Sequence, residues 1–136
     1  MPMIKQNDPD WKYAIIKIYT SGQISLSHRK TEKISMHDWQ TYLGGGFIEI
    51  VGGRILQTVG DKHDIKMIVD EDGLNKQLKV NPIASSLYDG GAIVGDVLIG
   101  VQKMIGDEPD IAAMPIDVAK DIIYRIEAWA LINHIF

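Results

Sequence analysis

Cysteine is absent from the 136 residues. Neither a disulfide framework nor a thiolate site is therefore open to the chain. No apolar run approaches the about 18 consecutive residues that would suggest a membrane-spanning helix. Residues 1–10 show no basic-then-apolar signal pattern. These absences lead to the expectation of a cytoplasmic protein. Basic clusters are almost absent too: His28-Arg29-Lys30, with Lys33 nearby, is the only one. That is too little for duplex nucleic acid, which calls for a concentrated basic face. It is enough to meet one phosphate group, although a solvated charged loop is the favoured reading of it.

What is present fits one soluble domain, residues 1–136. Hydrophobic residues make up 46% of the chain and charged residues 24%, proportions ordinary for a globular domain long enough to bury a core. The net charge of −4 is unevenly spread. Residues 1–54 carry seven Lys/Arg and five Asp/Glu, a net of +2, and residues 55–136 carry seven and thirteen, a net of −6. No repeat, low-complexity tract or linker interrupts the chain.

Periodicity predicts an interior strand over residues 11–20. Trp11, Tyr13, Ile15 and Tyr19 alternate with Ala14, Ile16 and Ile18, so both faces are mostly apolar. Ser21-Gly22 reads as a turn and residues 24–27 as the hairpin partner. Ser35 caps a short helix carrying Met36, Trp39, Tyr42 and Leu43 at helical spacing, with Asp38 as reciprocal cap partner and Gly44 as the stop. Strands are predicted over 47–51, 54–59 and 65–69. A tight turn follows at Asp70-Glu71-Asp72-Gly73, with Gly73 at positive φ. Asn81-Pro82 starts a second short helix, and residues 94–102 read as the last strand. Residues 104–113 read as a loop. The longest helix covers 115–135, with Ile116, Ala119, Ile123, Ile126 and Ala130 as its apolar stripe. The expected fold is α+β: a small, mostly antiparallel sheet of about six short strands, with two short helices and a longer C-terminal helix. Trp129 to Phe136 add an apolar surface that wants a partner, so a homo-oligomer through this helix is expected.

The signature-like part of the chain is residues 44–100. Gly45-Gly46-Phe47-Ile48-Glu49, then Asp70-Glu71-Asp72-Gly73, then Asn81, then Gly95-Asp96 follow one another. This order resembles a family of small, functionally uncharacterised domains of bacteriophages, mobile elements and bacteria. Those domains share a Gly-Gly-aromatic-Ile-Glu strand, an acidic-X-Gly turn, a following Asn and a Gly-Asp strand. The match covers less than half of the chain. It carries over no catalytic residue, but it implies a phage or mobile-element setting, with the host cytoplasm as the place of action. Small phage proteins of this kind often act as inhibitors, adaptors or ligand-sequestering proteins against host defence.

The candidate chemistry is sparse. Glu49 shares a strand face with Phe47 and Val51. It is read as a structural acid paired to Arg54 if that face is buried, as a solvated acid if it is open, or as a ligand contact beside a stacking Phe47, with the first two favoured. The candidate ligand-binding residues are Phe47, Glu49, Arg54, Arg29, Lys30 and Asn81. Of these, Asn81 reads first as a helix cap. Asp70, Glu71 and Asp72 do not follow a calcium-loop pattern, and the four histidines are scattered, so no metal and no cofactor is expected. Gly44-Gly45-Gly46 follows a helix instead of opening one, which is the wrong polarity for a phosphate loop. Ser85 and Ser86 have no base pattern nearby, so no catalytic residue is assigned.

Three functions follow in order. The first is a non-enzymatic protein that sequesters a small anionic, nucleotide-type signal of host immunity in a pocket between subunits. The second is a protein–protein inhibitor or adaptor acting on a host protein. The third is a hydrolase using Asp70, Glu71 and Asp96 with a divalent ion.

Overall fold

The computed structural model describes residues 11–135. The expectations for residues 1–10 and for Phe136 lie outside it. The described residues form an α+β domain of seven strands and four helices. The strands are β1 (Tyr13–Ile18), β2 (Ile24–Arg29), β3 (Ile48–Val51), β4 (Ile65–Asp70), β5 (Val97–Ile105), β6 (Glu108–Ala112) and β7 (Met114–Pro115). The helices are α1 (Met36–Tyr42), α2 (Arg54–Gly60), α3 (Pro82–Leu87) and α4 (Ile116–Ile132). The sheet runs β2-β1-β5-β4-β3, with β6 paired to β5 and β7 to β1, and every named pairing is antiparallel.

Alternation along β1 produces two cores, as its two apolar faces predict. Ala14, Ile16 and Ile18 join Met67, Val97 and Ile99 beneath α2, α3 and α4. Ile15 joins Ile68, Leu98 and Trp39 on the opposite face, which α1 covers. The sheet is thus the middle of three layers, and its central strands are apolar on both sides for that reason.

The caps fall where the sequence places them. Ser35 Oγ accepts the Asp38 N–H at 3.0 Å. At the other end of α1, Gly44 N–H donates to Thr41 O and Gly45 N–H to Gln40 O, with Gly44 at φ +102. This paired closure is the one a glycine after the last helical turn permits.

Four expectations are corrected. Residues 54–59 form α2, not a strand: Leu56, Val59 and Gly60 are its buried residues, a spacing of three and four that a short Ile/Leu/Val run disguises. Residues 104–113 are not a loop, because β5 runs on to Ile105 and pairs with β6. The hairpin closes through Gly106-Asp107, and only Gly106 has positive φ (+64), the pattern of a II′ turn. The strand beginning near residue 94 is therefore not the last. Gly73 does not have positive φ; a side chain there would meet Val94 Cγ2 at 2.7 Å, so close packing is what requires glycine. The tight turn after Asp70 is present, with Gly73 N–H donating to Asp70 O at 3.3 Å, but the chain does not pair straight back. It runs through α3 before β5 returns alongside β4.

In α4 the buried stripe is Ala119, Ile122, Ile126 and Ala130. Ile122 stands where Ile123 is expected, and Ile123 is only partly buried. Ile122→Ala is expected to cost about 2–5 kcal/mol and Ile123→Ala about 1–2 kcal/mol, since a cavity forms only at the enclosed site. Urea unfolding of the two variants measures the difference, and equal losses would contradict the helix orientation.

Candidate functional site

The signature residues meet at one end of the sheet, where β1 and β4 finish and β3 and β5 begin. Asn81 lies at the centre with no exposed surface. Its Oδ1 accepts the Ala84 N–H and caps α3. Its Nδ2 donates to Ile18 O and to Gly95 O, each at 3.0 Å. Asp96 Oδ1 accepts the Thr20 N–H at 3.0 Å. Asp70 Oδ1 accepts the Asp72 N–H, and its Oδ2 is held by Lys76 Nζ at 2.7 Å. Glu71 N–H donates to Phe47 O. Two of the three acids proposed for a metal-dependent hydrolase, Asp70 and Asp96, are thus occupied in holding loops. Among the described residues no group of three or more His, Asp or Glu is placed to hold a metal ion.

The six candidate ligand residues are not brought together within one chain. Phe47 is 72% exposed at the start of edge strand β3. Glu49 is exposed on the same strand, pairs across from Val69, and forms no ion pair with Arg54. It borders a cleft of about 160 Å³ whose other acids are Asp70 and Glu71. Lys76 neutralises Asp70, which leaves Glu49 and Glu71 as the free acids beside it. Arg54 is exposed in the first turn of α2. Arg29 closes β2 at the opposite edge of the sheet, and Lys30 follows it. With β1, β5 and β4 between, β2 and β3 stand about 19 Å apart. The Arg29 guanidinium lies 4.5 Å from the Tyr42 ring centre, a cation–π contact on the α1 face. Burial pushes the Tyr42 phenol above its ordinary range, against the pull of Arg29.

At the far end of β4 and β5, on the α4 side, lies a cleft of about 410 Å³. The turn after α2, the middle of β5, β7 and the first turn of α4 enclose it. Half-buried Val101 and Val118 give it an apolar floor, with Met114 buried behind them at 1% exposure. Lys62, His63, Asp64 and Lys103 supply the charged rim. Asp64 is paired to Lys66 at 2.8 Å and Lys103 to Glu32 at 2.9 Å. Among the described residues, the side chains of Lys62 and His63 have no such partner. An apolar floor with few converging polar groups is the usual make-up of a small-molecule site. In sequence, Lys62 and His63 read only as a polar loop. What singles them out is their position over Met114, which the chain places more than fifty residues later.

A second apolar cleft of about 410 Å³ lies between α2 and α4, with Val59, Tyr124, Ala128 and Ile132 among its walls. Tyr124, Leu131 and Ile132 around it are 71%, 71% and 74% exposed. Trp129 is turned inward, and its Nε1 donates to Ser86 Oγ at 3.1 Å.

No protein-family model and no curated protein matches the sequence. Among solved structures, the chain is similar to one described as "Crystal structure of small RNA methyltransferase HEN1", with a TM-score of 0.56 and 17% sequence identity. The likeness covers 85% of this chain and 17% of that one. At that identity it concerns the fold alone.

Replacing Asn81 tests whether the signature end is architecture. Asn81→Ala removes three buried hydrogen bonds and strands their backbone partners, a loss of about 2–4 kcal/mol. Asn81→Asp keeps the cap but sets a carboxylate against two carbonyls, and is expected to be at least as destabilising. Chemical denaturation measures both; a near-neutral Asn81→Ala would contradict this account.

Proposed function

We propose that this protein binds a small anionic ligand and holds it without turning it over. The observation that carries this reading is the cleft at the far end of β4 and β5. It joins an apolar floor to Lys62 and His63, whose side chains form no ion pair among the described residues. A ligand-sequestering protein needs affinity and an enclosed surface, and this cleft has the volume for a small molecule. The phage-type resemblance of the signature adds an associational reason to place the ligand among nucleotide-type signals of host defence, in the cytoplasm. The ligand residues are then Lys62 and His63, in place of the dispersed Phe47, Glu49, Arg54, Arg29 and Lys30.

A second reading rests on the exposed apolar face of α4. Tyr124, Leu131 and Ile132 leave more apolar surface in water than a free helix face usually does. This favours protein contact through α4, with another copy of the chain or with a host protein, and is compatible with ligand binding at the other cleft.

Incubation with a panel of cyclic mononucleotides should raise the melting temperature for at least one of them. A ligand present at about 100 times its dissociation constant adds about 2.7 kcal/mol, or about 10 °C for a domain of this size. The ligand should be recovered unchanged after denaturation, and Lys62→Glu should abolish the shift. The absence of a shift with every anion tested, or recovery of a converted product, would overturn the reading. For the α4 face, light scattering at tens of micromolar protein, a rough range for weak dimers, should show a mass above that of one chain, and Ile132→Asp should return it to the monomer.

A further inference from the structure

The charges around the Lys62–His63 cleft can be counted, and the count restricts what it takes. We infer that its ligand carries a single negative charge on an apolar body, and that polyphosphates and other polyanions are excluded. This rests on the reading of the cleft as an anion site.

Four charged side chains stand at or beside the rim: Lys62, Asp64, Lys66 and Lys103. Lys66 and Asp64 neutralise each other at 2.8 Å, and Glu32 neutralises Lys103 at 2.9 Å. One formal cation remains uncompensated, Lys62, with His63 beside it as a hydrogen-bonding group. A second or third negative charge would find no free partner there. Like charges brought into a partly desolvated cleft oppose binding.

The floor supplies the other half of the restriction. Half-buried Val101 and Val118 and exposed Pro115 present the apolar surface, with Met114 buried behind them. The one neutral polar side chain on the wall, Gln102, is exposed. A bare inorganic anion placed on that floor would lose water without gaining partners. An aromatic or aliphatic body loses nothing there and fills the space beside a flexible methionine. The acidic group then sits at the mouth, within the reach of the Lys62 ammonium.

Anilinonaphthalene sulfonate has one sulfonate on an aromatic body and reports its own binding by fluorescence. One probe should bind per chain, with Lys62→Glu weakening it about tenfold, the factor that corresponds to about 1.4 kcal/mol. Ile132→Asp, at the separate cleft of α4, should leave this binding unchanged. Phenylnaphthylamine, the uncharged analogue, should bind equally to the parent chain and to Lys62→Glu. Inorganic phosphate and pyrophosphate in excess should not compete. Competition by either phosphate, or binding that Ile132→Asp removes and Lys62→Glu does not, would overturn the inference. Competition by phosphate would still leave an anion site in place, so it separates this inference from the reading beneath it. Failure of every anion to bind would overturn both. Circular dichroism of each variant confirms that the fold is retained.

Discussion

The carboxamide of Asn81 fastens α3 to the sheet where β1 and β5 pair. Its oxygen starts α3, and its nitrogen ties the end of β1 to Gly95, just ahead of β5. Its complete burial makes this arrangement strict, because each of the three backbone groups would otherwise be dry and unpaired. Around it, Thr20 is tied to Asp96, Asp70 to the loop after β4, and that loop back to Phe47. The spaced glycines, acids and asparagine of residues 44–100 are thus the fastening of one end of a sheet. A pattern that looks like a binding signature on the page turns out to be built largely from groups already bonded to one another.

The sheet has a further consequence. With helices on both faces, β1 and β5 are apolar on both sides, and the interior leaves no room for a polar cavity. Among the described residues, clefts open at the ends of the strands and at the seam between α2 and α4. The strand ends differ in sign. Beside β3 the rim is acidic, with Glu49, Asp70 and Glu71. At the opposite end the uncompensated charge is Lys62. The free acids thus stand beside the signature, and the free lysine stands where the sequence shows nothing distinctive. The overall acidity of the chain, −4, hides this local reversal, because pairing within the fold removes charges from consideration unevenly.

Local rules account for the elements that were legible. Ser35, Gly44 and the Asn81-Pro82 pair act through their immediate neighbours, so their caps and stops can be read from a few residues. The alternation in β1 is long enough to reveal two buried faces. Where the apolar run is short, the period is ambiguous: residues 54–59 suit a strand as well as a helix, and only α4 packed against them decides for the helix. The Pro109 and acidic residues of 108–112 suggest a loop, yet β5 offers an unpaired edge and draws them into a strand. Pro109 is tolerated because β6 has no further strand named beyond it.

By itself the sequence determined the fold class, the helix caps, the interior position of β1 and the absence of thiol chemistry, because each depends on residue type and on spacing over a few positions. Only the tertiary structure decided which charges remain free. Lys66 and Lys103 are as basic in sequence as Lys62, but Asp64 and Glu32 neutralise them, one from two residues away and one from seventy-one. The apolar floor beneath Lys62 belongs to β5, β7 and α4, which the chain reaches much later. A site assembled by pairing across strands has no linear pattern, and for that reason Phe47 and Glu49 drew attention while Lys62 and His63 did not.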